Sequence, residues 1–307
     1  MARIPLLFLA FILFANRVSA QQKETKSGDV VFSPGDCKTR FTWQSDLQGN
    51  HRNLHAALLV PVKLPGSPRT YYMQLDTGSP VSVLYRHSFG AVRPGDSINV
   101  EIRLGGSTII LKKPAFFEKT GSETSTDTVI IGTLGTDLLA SKIVQIDYPR
   151  QTLTFADKLP ASLENHIPWS PLFNPYGKIL LPSVIRGREK FLCFDSGSSS
   201  FELLTDAESW SLLACHDSMA RSYPVQSWNK TLTAHTVASA DSIQLAGYKL
   251  PLRYVSYMEG VDERTARQMK ALGMGGMTGN TLFLRSVLIL DLRNKRYGLL
   301  PGRRGKR

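Results

Sequence analysis

Residues 71–84 read Tyr-Tyr-Met-Gln-Leu-Asp-Thr-Gly-Ser-Pro-Val-Ser-Val-Leu, and residues 191–204 read Phe-Leu-Cys-Phe-Asp-Ser-Gly-Ser-Ser-Ser-Phe-Glu-Leu-Leu. In both, a short β-prone apolar run delivers an aspartate (Asp76, Asp195), then a small hydroxyl residue (Thr77, Ser196), a glycine (Gly78, Gly197) and a serine (Ser79, Ser198). One such tetrapeptide is an ordinary turn. Two, each behind a strand-like run, constrain the chain to a duplicated architecture. Chemistry that needs two carboxylates presented in the same way is hydrolysis at a paired-aspartate site, so Asp76 and Asp195 are the candidate catalytic dyad.

Further matched segments extend the duplication. Residues 129–155 and 273–299 each hold a glycine-bearing apolar turn, a brief helical start and a hairpin. Gly132 corresponds to Gly276, Gly135 to Gly279 and Asp147 to Asp291, all at an offset of 144 (276 − 132). Asp147 and Asp291 read as turn or solvent-face residues. Residues 98–111 and 242–252 form a third pair, hairpins turning at Gly105-Gly106 and Ala246-Gly247. The aspartates themselves are 119 apart (195 − 76), so the second half carries 25 extra residues (144 − 119) between these landmarks. Part of that excess, 205–219, reads as a helix with a capping box at Thr205 to Glu208. Residues 225–234 read as a hairpin, and 262–272 as a second helix ended by Gly273.

In chain order, 1–20 is a secretory signal. Arg3 precedes a 12-residue apolar run, 4–15, and Val18-Ser19-Ala20 gives a small-x-small cleavage pattern. The run is shorter than the ~18–20 residues of a span, with an uncleaved anchor as the alternative. Residues 21–53 are polar and irregular, either an N-terminal extension or a short prosegment. Residues 54–155 form an N-terminal lobe, and 156–177, with four prolines, a linker. Residues 178–300 form a C-terminal lobe, and 301–307 a basic tail. Within the lobes, strands at 54–62 and 70–75 make a hairpin ending on Asp76. Strands at 178–185 and 190–194 make the equivalent one, ending on Asp195.

Two Asp-Thr/Ser-Gly-Ser motifs, each followed by an apolar-glycine segment and a terminal hairpin, resemble the pepsin-like and retropepsin-like aspartic peptidases. The resemblance covers about 54–300. It implies an all-β fold with minor α content, built as two β-barrel-like lobes about a pseudo-twofold axis, with one aspartate from each at the floor of a cleft. It also implies that Thr77 and Ser196 cross-brace the two loops, and that Ser79 and Ser198 donate to the outer carboxylate oxygens. One chain supplies both aspartates, so a monomer suffices and no cofactor is needed. Carboxylates about 3 Å apart cannot both ionise, so the pair shares a proton, and an acidic optimum at or below about pH 6 is expected. Pepsin-like enzymes cover the cleft with a tyrosine-bearing flap in the first lobe, yet no tyrosine lies between Arg86 and Ile146. The segment 223–235, with Trp228, is the candidate cleft cover instead.

Composition narrows the partners. The net charge is +12, or +10 without Arg3 and Arg17, which favours an acidic substrate or anionic cell-envelope polymer around an exported protein. Neither recognition-helix nor zinc-finger spacing points to nucleic acid. The six histidines lack ligand spacing, so no metal is expected. No Gly-x-Ser-x-Gly elbow supports serine-hydrolase chemistry. Three cysteines permit at most one disulfide, Cys37–Cys215 being an open option and Cys193 a buried thiol. An aspartic endopeptidase acting on polypeptides is the first functional reading. A non-catalytic peptide or envelope-polymer binder on the same fold is the alternative.

Overall fold

The computed structural model describes residues 30–89, 98–118, 128–227, 230–261 and 273–302. The described residues are mostly β, with two short α-helices among them, Ala161–Glu164 and Ala207–Leu213. It has the all-β, pepsin-like architecture, and the duplication is visible in its strand pairing.

In the first half, strand Ile130–Leu134 runs parallel to Tyr71–Leu75 and antiparallel to Val83–Tyr85, which pairs in parallel with Ala115–Phe117. In the second half, Met274–Thr278 lies in the same way between Arg188–Phe194 and Leu204–Thr205, and the latter pairs in parallel with Tyr254–Glu259. A strand covered on both faces reads as an unbroken apolar run rather than an alternation, and all five residues of Ile130–Leu134 are buried. By contrast, Ile179–Ile185 alternates strictly between buried and half-buried, the pattern of a strand with one face on the core. The two sheets so formed have six and nine strands.

A second six-stranded sheet joins the halves. Strand Ile143–Asp147 pairs antiparallel with Ser286–Asp291, and each also pairs with its own hairpin partner, Thr152–Ala156 or Arg296–Pro301. Between this sheet and the aspartate loops runs a chain of rings. Tyr148 stacks on Trp43 at 6.2 Å and on Phe283 at 6.2 Å, and Phe283 meets Phe194 edge-on at 5.4 Å. Such ring pairs add about 0.5–1.5 kcal/mol each beyond area burial. Phe194 immediately precedes Asp195, so the packing reaches the aspartate loop directly.

Several expectations need correction. Strand order in every sheet is linear, so neither half is a closed barrel among the described residues. Residues 30–53 are not irregular. They supply strands Val30–Phe32, Cys37–Arg40 and Thr42–Gln48, and strand His51–Val62 runs across the expected boundary at 54. The polar residues there hid a two-stranded ribbon turning at Gly49, whose φ is +61°. The helix expected over 205–219 covers only Ala207–Leu213, and its N-cap is Asp206, which accepts from Ser209 N at 2.9 Å. Asp291 is the turn residue expected, accepting from Asn294 N at 3.1 Å, but it is fully buried rather than solvent-facing and also accepts from Arg296 Nε at 2.9 Å. All three cysteines are free thiols. The proposed signal, the 262–272 helix and most of the tail lie outside the described residues, as does Trp228.

Candidate active site

Strands Tyr71–Leu75 and Arg188–Phe194 each end on an aspartate, and the central strand beside them fixes where the chain turns. Asp76 N donates to Leu134 O and Asp195 N to Thr278 O, both at 2.9 Å. Beyond each aspartate the chain tightens, Ser79 N reaching Asp76 O and Ser198 N reaching Asp195 O at 3.1 Å. Both loops are therefore built alike and face each other.

The loops are locked reciprocally. Thr77 N donates to Ser196 Oγ and Ser196 N to Thr77 Oγ1, both at 2.9 Å. Each hydroxyl then donates onward to the opposite strand, Thr77 Oγ1 to Phe194 O and Ser196 Oγ to Leu75 O, again at 2.9 Å. All four bonds are buried, where an unmet donor would cost about 1–3 kcal/mol. Glycine is required beside them. A Cβ at Gly78 would stand 2.4 Å from Asp195 Oδ1, and one at Gly197 2.4 Å from Asp76 Oδ1.

Each carboxyl lies against the glycine of the opposite loop. Their remaining partners differ. Asp195 accepts from Gly197 N at 2.9 Å, Ser198 N at 3.2 Å and Ser198 Oγ at 3.1 Å. Asp76 accepts from Gly78 N at 2.8 Å. Ser79, expected to donate to the outer oxygen of Asp76, instead donates to Val81 O at 2.7 Å. Burial, then the charge of Asp195 and the hydrogen bond to it, hold Asp76 well above the usual carboxylate range, while Lys178 and Gly78 N–H pull it down. Asp195 is thus met by three donors and Asp76 by one. Asp195 is fully buried and Asp76 is 5% exposed.

Supporting residues absent from the sequence reading also emerge. Asn280 Nδ2 donates to Ser196 O at 2.9 Å and to Ser199 Oγ at 3.0 Å, while Tyr148 OH donates to Asn280 Oδ1 at 2.7 Å. Asp137 accepts from Ser82 N and Ser82 Oγ, both at 2.7 Å. Both lie just after a matched glycine, polar residues inside apolar runs, and that was the available signal. Among the described residues no group of acidic, histidine or cysteine side chains could hold a metal ion. No described helix is long and apolar enough to cross a membrane.

Neither a protein-family profile nor a characterised protein sequence matches the chain. Solved structures do match. An aspartic proteinase from Irpex lacteus superposes with a TM-score of 0.52 at 14% identity, over 87% of this chain and 97% of that one. Conglutin gamma, a basic 7S globulin from lupine seeds, superposes with a TM-score of 0.51 at 10% identity, over 87% of this chain and 95% of that one. At such identities the likeness is one of fold, and that fold is pepsin-like.

Proposed function

We propose that the protein is an aspartic endopeptidase in which Asp76 and Asp195 activate a water molecule against a peptide carbonyl. The observation that carries this reading is that two buried carboxyls, one from each half of a duplicated chain, each lie against the glycine of the opposite loop inside a reciprocal brace. The ionised carboxylate draws a proton from water as the oxygen attacks. Asp76, which keeps its proton, hydrogen-bonds the carbonyl oxygen and takes up its developing charge. The proton gained then passes to the leaving amine. The brace holds both groups at a fixed separation, where pre-set geometry lowers the barrier.

The fold shared with a fungal aspartic proteinase supports the same chemistry. Export after cleavage near Ala20, a monomeric state and a polypeptide substrate belong to this reading, with anionic envelope polymers as neighbours of a chain of charge +12. A second reading, binding without cutting, is favoured by the complete burial of Asp195, which keeps a bound chain off that carboxyl. Incubation with an unfolded protein between pH 3 and 8 separates the two. Peptide products at acidic pH support the peptidase, and retention of intact polypeptide without products supports the binder.

A further inference from the structure

Lys178 stands at the end of the segment that crosses from one half of the chain to the other, one residue before strand Ile179–Ile185. The residues ahead of it are fixed against the first aspartate loop. Pro175–Gly177 form a single 3-10 turn with Tyr176 at φ 53°. Thr136 Oγ1 donates to Gly177 O at 2.8 Å. Gly177 has φ +77°, and a Cβ there would fall 2.7 Å from Pro80 Cβ. Chain held at these points delivers Lys178 Nζ to the carbonyl of Gly78, to which it donates a hydrogen bond. The N–H of the same residue donates to Asp76 Oδ1 at 2.8 Å. Lys178 is half-buried, so the field of its charge at the pair is screened less than at an open surface.

We propose that Lys178 is a positioning residue of the paired-aspartate site, holding the Gly78 peptide in place and supplying a fixed positive charge against the negative charge the two carboxyls share. This rests on the peptidase reading of that pair. Other titratable groups face Asp76 as well. Asp195 lies across from it, Cys193 on the strand that leads to Asp195, and Tyr85 on strand Val83–Tyr85 with its hydroxyl bonded to Thr133 Oγ1 at 2.9 Å. Asp195 adds negative charge, and burial pushes the Cys193 thiol and the Tyr85 phenol up, the latter to about 12, so both stay neutral. Among the described residues Lys178 is the cation that acts on Asp76. Removing it leaves the pair's proton harder to lose.

The test compares the full chain with Lys178→Met and Lys178→Arg. In pH profiles of kcat/KM, Lys178→Met moves the alkaline limb upward by about one unit, a tenfold change in proton affinity of the kind an adjacent opposite charge produces. Lys178→Arg restores the original limb. A purely structural role would lower the rate at every pH and leave the limb where it was. A second readout needs no catalysis: the Tm difference between each Lys178 background and its Asp76→Asn counterpart. That difference grows with pH until Asp76 has ionised, so its plateau comes at higher pH in the Lys178→Met background. A displaced plateau without any cleavage would sink the peptidase reading and keep the role of Lys178. Limbs and plateaus that coincide in folded variants would overturn the proposal. Lys178→Gln, which retains a donor for the Gly78 carbonyl, replaces the Met variant if that one fails to fold.

Discussion

Gln145 pairs with Ile289 in the sheet that joins the two halves, and these two are equivalent positions of the repeat, 144 residues apart (289 − 145). In an antiparallel pair only one such couple can oppose its own equivalent, so the pseudo-twofold axis passes between these residues. The same operation exchanges the two aspartate loops, whose equivalent residues Thr77 and Ser196 hydrogen-bond each other.

The brace should be cooperative. Thr77→Val or Ser196→Ala each removes a hydroxyl that both accepts and donates, leaving a buried N–H and a buried carbonyl unmet. Each is expected to destabilise the protein by about 2–6 kcal/mol, taking roughly 1–3 kcal/mol for each orphaned group. The double variant should lose less than the sum, since the two hydroxyls serve one network. Denaturant titration of the four proteins measures the coupling.

The serines after the two glycines should differ in effect. Ser198 Oγ donates to Asp195 Oδ2, whereas Ser79 Oγ donates to Val81 O. A hydrogen bond to a charged group is worth about 1.5–3 kcal/mol, so Ser198→Ala should lower kcat about 10- to 100-fold. Ser79→Ala should leave kcat within about threefold and act mainly on stability, by about 1 kcal/mol. Steady-state kinetics on both variants checks this asymmetry.

Glycine 78 tolerates no side chain. A Cβ there would stand 2.4 Å from Asp195 Oδ1 and 2.6 Å from its Cγ, so Gly78→Ala forces the loops apart. Overpacking of this kind costs about 1–3 kcal/mol. Cleavage should fall by more than 100-fold, because small displacements at a reacting centre are expensive. Thermal melting and turnover of the same preparation separate the two effects.

Two buried carboxyls shape stability against pH. Asp76 is held well above its ordinary value of 3.8, and burial lifts Asp46 to about 6. Asp46 Oδ1 has no hydrogen-bond partner among the described residues. For a raised carboxyl the folded state binds the proton more tightly. The stability it brings is complete below about pH 3.8 and is lost as pH rises through the folded value. Asp46→Asn should therefore raise Tm above about pH 6 and have little effect below pH 4. Asp76→Asn should do the same, with its gain still growing at higher pH. Melting curves from pH 3 to 8 report both.

Much of this architecture was legible in the sequence because duplication doubles every signal. The aspartate loops, the glycine-bearing central strands and the three hairpin pairs each appear twice, and chance seldom repeats a spacing of 144. Features without a copy were harder to read. The ribbon formed by Thr42–Gln48 and His51–Val62 begins in polar sequence, and its strands are fixed by tertiary pairing rather than by alternation. Ser79 departs from its equivalent in its acceptor, Val81 O in place of a carboxyl oxygen, a local difference that repeat logic passes over. Lys178 carried no signal, since its position depends on how Pro175–Gly177 pack against Pro80 and Thr136.

The central claim is that Asp76 and Asp195 act as one proton-sharing pair. It is tested most directly by kcat/KM for an unfolded polypeptide, measured for the unaltered chain and for Asp76→Asn and Asp195→Asn in parallel. The account predicts cleavage at acidic pH that falls at least about 1,000-fold in either variant, the scale on which losing one member of a catalytic unit is felt. Cleavage that persists at its original rate in both variants would contradict it.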